Sequence, residues 1–291
     1  MMPEMNGYEV LEHIKADMSL RHIPVIMISA VDEMDSVVRC IKLGAEDYLS
    51  KPFNATLLNA RVGASLDKKR LRDQEATYLA RIEREQQRGD ELLHAILPEA
   101  AVRELKATNE VLPRRYDDVA VLFCDIVSFT AYCEKYPPEK VVGELRELVH
   151  RFEGVAFDCG MEKIKTIGDA FLATAGMLQK VDDPVLAAAR AGLEMVAASQ
   201  EVEPGWQVRV GIHFGPVVAG VVGQRQFMFD LWGDTVNVAS RVSGRAEPGS
   251  VFLSSDAWMQ IRQAATGHSR GMVSLKGRGE MELVEVATVR E

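Results

Sequence analysis

The sequence predicts an α/β protein in three sections: an incomplete, doubly wound parallel sheet at the N-terminal end, a long connecting helix, and a C-terminal mixed α+β domain with an antiparallel-rich sheet flanked by helices. Three observations carry this. Short apolar runs alternate with amphipathic helical stretches up to about residue 55, the pattern of a parallel sheet with crossover helices. Residues 56–97 are rich in Lys, Arg, Glu and Gln and meet no proline before Pro98, so they read as one uninterrupted helix. Beyond residue 113, an apolar strand ends in an isolated acid, and a Gly-Asp pair divides two strand-like runs as a hairpin turn does. The expected divisions are 1–55, 56–97, a short transducing segment 98–112, and 113–291.

Taken in order, MPEMNGYEVLEHIKAD is a turn into an amphipathic helix, and PVIMISA, bounded by Pro24, is a buried strand. DEMDSVVRCIKLGA is helical with Gly44 as its stop signal, and DYLSKPF is a short strand. Within the long helix Leu58, Val62, Leu66, Leu71, Tyr78, Ile82, Leu92 and Ile96 form a thin apolar stripe, which suits a two-stranded coiled coil. The polar run EREQQRGDE leaves a solvated spacer helix as the other reading. LPEAAVRELKATNEVLPRRYDDVAVLF is a short helix and loop leading into a strand, and MEKIKTIGDAFLATAG is two strands about a Gly168-Asp169 turn.

Composition limits the function. With 291 residues and 47% hydrophobic content the chain can bury a core, and a formal net charge of −9 argues against a general nucleic-acid or anionic-membrane binder. Cys40, Cys124, Cys133 and Cys159 show no C-x-x-C spacing, no secretory leader is evident and no window is long and apolar enough to span a bilayer, so a cytoplasmic protein with reduced thiols is expected.

The chemistry-bearing residues lie in the last section. Asp125 and Asp169 each follow an apolar strand, where two hard carboxylates can share Mg²⁺ or Mn²⁺ whose other ligands are phosphate oxygens and water. On spacing alone the signal is weak, because an acid that follows a strand is usually a turn or helix-cap residue. In FDLWGDTVNVASRVSG, Asp234 is expected to cap a helix that Gly244 ends, with Asn237 and Arg241 four residues apart on one face. That pair could meet a sugar oxygen and a phosphate, or simply sit on a solvated surface.

Two resemblances sharpen this. MPEMNG, Ser29 and Lys51-Pro52 resemble the second half of a two-component receiver domain, a flavodoxin-like fold. The resemblance implies that Ser29 and Lys51 would contact a phosphoryl group. The phosphoacceptor aspartate and the acidic pair for Mg²⁺ would precede Met1, so a truncated, poorly stable remnant is expected. A partner histidine kinase would apply to a full-length form only.

From about 113 to 291, FCDIVSFT, EKIKTIGDAF, GIHFGPVVAGVVG, FDLWGDTVNVASR and SLKGRGE together resemble the palm-like catalytic domain of class III nucleotidyl cyclases. The resemblance implies that Asp125 and Asp169, with the Ile126 backbone carbonyl, hold two divalent metal ions. It assigns Lys165 and Asp230 to the base, Asn237 to the ribose, Arg241 to the transition-state phosphate, and Lys276 with Arg278 to the terminal phosphates. A donating Lys165 and an accepting Asp230 suit adenine, which offers an acceptor at N1 and a donor at N6, whereas guanine inverts the pattern. ATP is therefore the expected substrate. The ribose 3′-hydroxyl, its pKa lowered by a metal between the two acids, would attack the α-phosphate and yield 3′,5′-cyclic AMP and pyrophosphate.

In that family the metal acids and the base-reading, Asn and Arg residues of one site come from different subunits. All these residue types occur in this one chain, which implies a homodimer with two shared sites. A silent nucleotide-binding or dimerisation domain and a guanylyl cyclase remain as alternatives. A DNA-binding regulator would need a basic recognition helix, and a diguanylate cyclase a GGDEF-type signature; neither is present.

Overall fold

The structure, a computed structural model, describes residues 5–30, 34–223 and 227–290. Residues 2–4 of the MPEMNG loop and 32–33 at the start of the second expected helix lie outside the described residues. The chain forms two compact units, divided between Glu91 and Leu92.

In the first unit, helix α1 (Gly7–Ala16) begins with a capping box. Asn6 Oδ1 accepts from the Tyr8 and Glu9 amides, and Glu9 accepts from the Asn6 amide, satisfying donors that a helix start leaves open. Strands β1 (Ile26–Ser29) and β2 (Asp47–Ser50) pair in parallel, joined through helix α2 (Met34–Lys42). Leu11, Cys40 and Ala45 form the small core. Ser29 lies opposite Ser50, and the Lys51 amide donates to the Ser29 carbonyl, so the two residues expected at a phosphoryl group sit at adjacent strand ends. Helix α3 (Ala55–Ile96) is the single long helix expected. Arg61 pairs with Asp47, and both Lys68 and Arg72 pair with Glu46, whose carboxyl those cations hold below its usual range. Leu71, Tyr78, Ile82 and Leu92 of its apolar stripe are exposed.

The second unit is built on an eight-stranded mixed sheet. Its members are β3 (Arg114–Ile126), β4 (Glu162–Ile167), β5 (Ala170–Ala175), β6 (Val208–Val222), β7 (Met228–Trp232), β8 (Val251–Ser254), β9 (Ala265–Leu275) and β10 (Gly279–Val289). The order is β4-β5-β3-β6-β8-β10-β9, with β7 hydrogen-bonded to β6 off this path. Among the described residues of this sheet only the β6–β8 pairing is parallel. Alternate residues of β3 enter opposite cores. Ala120, Leu122 and Cys124 pack with α6 (Pro138–Asp158), α7 (Pro184–Glu201) and α9 (Ser255–Ile261). Val119, Val121 and Phe123 pack with α4 (Glu99–Thr108) and α8 (Asp234–Ser243). This two-period alternation is what a strand covered on both faces requires. Helix α5 (Phe129–Lys135) follows β3 directly.

Helix α8 lies unusually close to β6. A Cβ at Gly211 would collide with the Ser243 backbone nitrogen and come within 2.7 Å of the Ala239 carbonyl oxygen. Glycine at this position is a packing requirement. Thr235 Oγ1 donates to the Pro216 carbonyl (2.6 Å) and fixes the other end of the helix. Further along β6, His213 is 3% exposed and its Nδ1 lies 2.6 Å from Ser254 Oγ, which also accepts from the Ala257 amide at the start of α9. It is a packed residue. No helix among the described residues is long and apolar enough to cross a membrane.

Two outcomes follow for stability. Gly211→Ala should destabilise the second unit by about 3 kcal/mol, as overpacking against backbone does, read as a fall in the denaturant midpoint. Burial lowers the His213 pKa from 6.5 to about 4. The folded state therefore refuses a proton that the unfolded chain accepts, and stability falls as pH drops from about 6.5 towards 4. Between pH 7 and 5 this one group should cost about 2 kcal/mol, and His213→Asn should lose that portion of the acid sensitivity in denaturation at the two pH values.

Candidate active site

Asp125 stands at the end of β3, directly opposite Arg209 of β6. The guanidinium reaches across the ladder, and Nε (2.8 Å) and Nη2 (2.6 Å) both donate to Asp125 Oδ2. Cys124 pairs with Phe171 of β5, so the β4–β5 turn delivers Asp169 to the same end of the sheet. Gly168 makes that turn possible with φ of 63°. Burial pushes the Asp169 carboxyl above the usual carboxylate range, and the negative charge of Asp125 adds to the rise. The two acids are thus electrostatic neighbours.

Phe123, Asp125, Ile167, Arg209, Asn237 and Ser240 line one cleft of about 410 Å³. Asn237 is exposed on α8, its amide 3.4 Å from the Gly233 carbonyl. The close seating of α8 on Gly211 brings it over the sheet end that carries Asp125. Sequence reasoning missed Arg209 and Ser240. Arg209 gave a faint signal, a cation in an otherwise apolar strand run, but its partner is set by the β3–β6 register.

A second pair forms at the β4 and β7 strands. Lys165 Nζ donates to Asp230 Oδ2 (2.6 Å), both half-buried, while Asp230 Oδ1 accepts from the Leu231 amide (2.8 Å). The two residues expected to read a base are therefore in contact although 65 positions apart.

A third group gathers at the β9–β10 turn. The other face of α8, Val238 and Val242, packs against Leu275 and Met281, which places residues 276–278 beside the helix. A Cβ on Gly277 would lie 3.8 and 3.9 Å from the two terminal nitrogens of Arg241, so that guanidinium rests against the turn between Lys276 and Arg278. Arg278 is ion-paired with Asp234. This corrects one expectation: Asp234 does not cap α8. The cap residue is Gly233, whose φ of 144° admits no side chain easily, and Asp234 is the first helical residue with its carboxylate turned to Arg278. Cys124 is buried in the strand, and burial raises its thiol pKa far out of nucleophilic range.

The donors present fit divalent cations. Two repelling carboxylates are relieved by a hard cation, and the Ile126 carbonyl lies one residue on. Among the described residues no cluster of three or more His, Cys, Asp or Glu side chains converges. The remaining ligands would have to be water and the oxygens of a phosphorylated substrate, which is how Mg²⁺ is commonly held.

Residues 111–287 match the family model described as the adenylate and guanylate cyclase catalytic domain, and residues 1–63 match the response regulator receiver domain. An adenylate cyclase of Mycobacterium bovis is 35% identical over 205 residues, covering 69% of this chain and 46% of that protein. The guanylate cyclase soluble subunit beta-2 of Rattus norvegicus is 34% identical over 204 residues, covering 68% of this chain and 30% of its own length. The chain thus spans less than half of either curated relative. Among solved structures, the guanylate cyclase domain of RhGC from Catenaria anguillulae in complex with GTP is 28% identical with a TM-score of 0.59, covering 61% of this chain and all of that one.

Proposed function

The chain belongs to the adenylate and guanylate cyclase catalytic-domain family, and from that premise we propose that it converts ATP to 3′,5′-cyclic AMP and pyrophosphate. Its relatives divide between adenylate and guanylate cyclases, so family alone does not choose the nucleotide. The observation that carries the choice is the contact between Lys165 and Asp230. An ammonium beside a carboxylate offers one donor and one acceptor side by side, the complement of adenine N1 and N6. Guanine would set its own N1 donor and O6 acceptor against them in the wrong order, and a half-buried polar site left unpaired discriminates strongly.

Divalent cations held by Asp125, Asp169 and the Ile126 carbonyl would supply charge neutralisation on the polyphosphate and a lowered pKa for the ribose 3′-hydroxyl. Asn237 orients the ribose so that this oxygen lies in line with the α-phosphorus. Arg241, fixed against the β9–β10 turn, stabilises charge developing on the α-phosphate. Lys276 and Arg278 hold the β- and γ-phosphates and the departing pyrophosphate. Arg209 stands beside Asp125 as a further cation for the polyphosphate.

We assign a homodimer to the working protein, with each site shared. On the β6–β7 arm, Val218, Val222, Met228 and Trp232 are exposed at the register positions flanking Asp230. A row of four apolar side chains beside a polar reading pair suits burial against a second copy. The stripe on α3 suits a parallel two-helix coil that sets how two catalytic domains face each other. In this arrangement the receiver-like section ends at residue 55, the helical linker at 97 and the transducing segment at 112.

Incubation with ATP and, separately, GTP in Mg²⁺ or Mn²⁺ tests the reading. Cyclic AMP should form in excess of cyclic GMP, and Asp125→Ala should lower the rate on the order of 100-fold. Cyclic GMP as the main product would overturn the base assignment, and no product from the dimer would leave a silent nucleotide-binding domain. Leu71→Glu with Tyr78→Glu should dissociate the dimer in sedimentation and reduce turnover about 10-fold. Unchanged mass and rate would make α3 a spacer.

A further inference from the structure

Asp230 is held more tightly than its exposure suggests. Oδ2 is engaged by Lys165 and Oδ1 by the Leu231 amide (2.8 Å). With both oxygens tethered, the carboxylate has little freedom of its own, and its position follows the backbone of β7. What fixes that backbone therefore bears on how a base is read.

Opposite Asp230 on β6 is Gly220. On the far side of β6, Arg114 pairs with Ala219, which brings Pro113 alongside Gly220. A Cβ on Gly220 would lie 3.2 Å from Pro113 Cα, 3.4 Å from its Cβ and 3.5 Å from its Cγ. Directly opposed residues of an antiparallel pair project to the same face, so Pro113 occupies the face that carries the Asp230 side chain, one strand away, with only glycine between. On the opposite face, Phe229 and Leu231, the neighbours of Asp230, are buried in one core with Leu97, Ala101 and Val102 of the segment before β3.

Pro113 is itself clamped. Glu104 of α4 accepts from the Leu112 amide (3.3 Å) and from Arg114 Nη2 (2.8 Å), the residues on either side of the proline. Two independent features thus tie the segment 97–113 to the strand that carries Asp230: a shared apolar core beneath it and a proline wedge beside it.

We propose that Glu104, Pro113 and Gly220 are positioning residues for Asp230, and that the segment 97–113 thereby sets nucleotide affinity and base discrimination. This rests on the reading of Lys165 and Asp230 given above. A displacement of α4 relaxes or tightens the grip on the base. Asp125 lies at the opposite end of β3 from Arg114, so the acids that would hold divalent cations are left in place.

The test is steady-state kinetics with ATP and GTP on Gly220→Ala, Glu104→Gln and the double variant, in the full chain. Gly220→Ala should raise the KM for ATP several-fold and lower the ATP-over-GTP preference, with kcat for ATP changed less than twofold. Glu104→Gln should shift both in the same direction but less. The double variant should fall short of the product of the two effects, since the added methyl acts only against a clamped proline. Unchanged KM and preference in both single variants, or a loss in kcat alone, would overturn the proposal, and Glu104→Gln decides it if Gly220→Ala does not fold. Asp230→Asn separates the two layers. If it leaves the ATP-over-GTP preference intact, the base-reading assignment itself fails. If it abolishes the preference while Gly220→Ala and Glu104→Gln do nothing, only the positioning role fails.

Discussion

The ladder between β3 and β6 is the constraint on which the rest of the catalytic unit depends. Its register runs from Arg114 opposite Ala219 to Ile126 opposite Val208. At one end it sets Asp125 against Arg209, and at the other it sets the start of β3 against the glycine that faces Asp230. A slip of one residue would turn every side chain of β3 to the opposite core and carry Asp125 away from the cleft. The β4–β5 hairpin joins this ladder through β5, β7 through β6, and α8 through the bare backbone at Gly211, so all three groups of site residues are referenced to one pair of strands.

The site is organised by opposed charges in a chain whose net charge is −9. Arg209 is held by Asp125, Lys165 by Asp230 and Arg278 by Asp234. Each pair is half-exposed, so none contributes much to stability. Their consequence is orientation: long flexible cations are kept in one place, and an anionic nucleotide or a hard cation can exchange with a partner already there. An overall negative protein can in this way present a local set of cations to a polyphosphate without a general basic face.

The receiver-like unit is constructed on other terms. Two parallel strands with one small core bury little, and the ion pairs from Arg61, Lys68 and Arg72 to Asp47 and Glu46 tie the long helix to the second strand. Ser29 and Lys51 meet at the strand ends because parallel pairing places like ends together. The adjacency is a product of topology and requires nothing further from either side chain.

The sequence by itself determined whatever is local. The turn at Gly168, the helix from Ala55 to Ile96, the strand that carries Asp125 near its end and the i,i+4 relation of Asn237 and Arg241 all follow from periodicity and punctuation within a few turns or strand lengths. Motifs in sequence order were enough to put forward candidate residues for the site. Tertiary structure alone decided which of them touch. The Lys165–Asp230 contact, the Arg209–Asp125 pair and the Asp234–Arg278 pair, which displaced an expected helix cap, each join residues 40 or more positions apart in the chain. Pairing over such distances depends on strand register and on how closely a helix can approach a sheet, and those depend on glycines such as Gly211 and Gly220 whose role is invisible until the neighbouring backbone is in place.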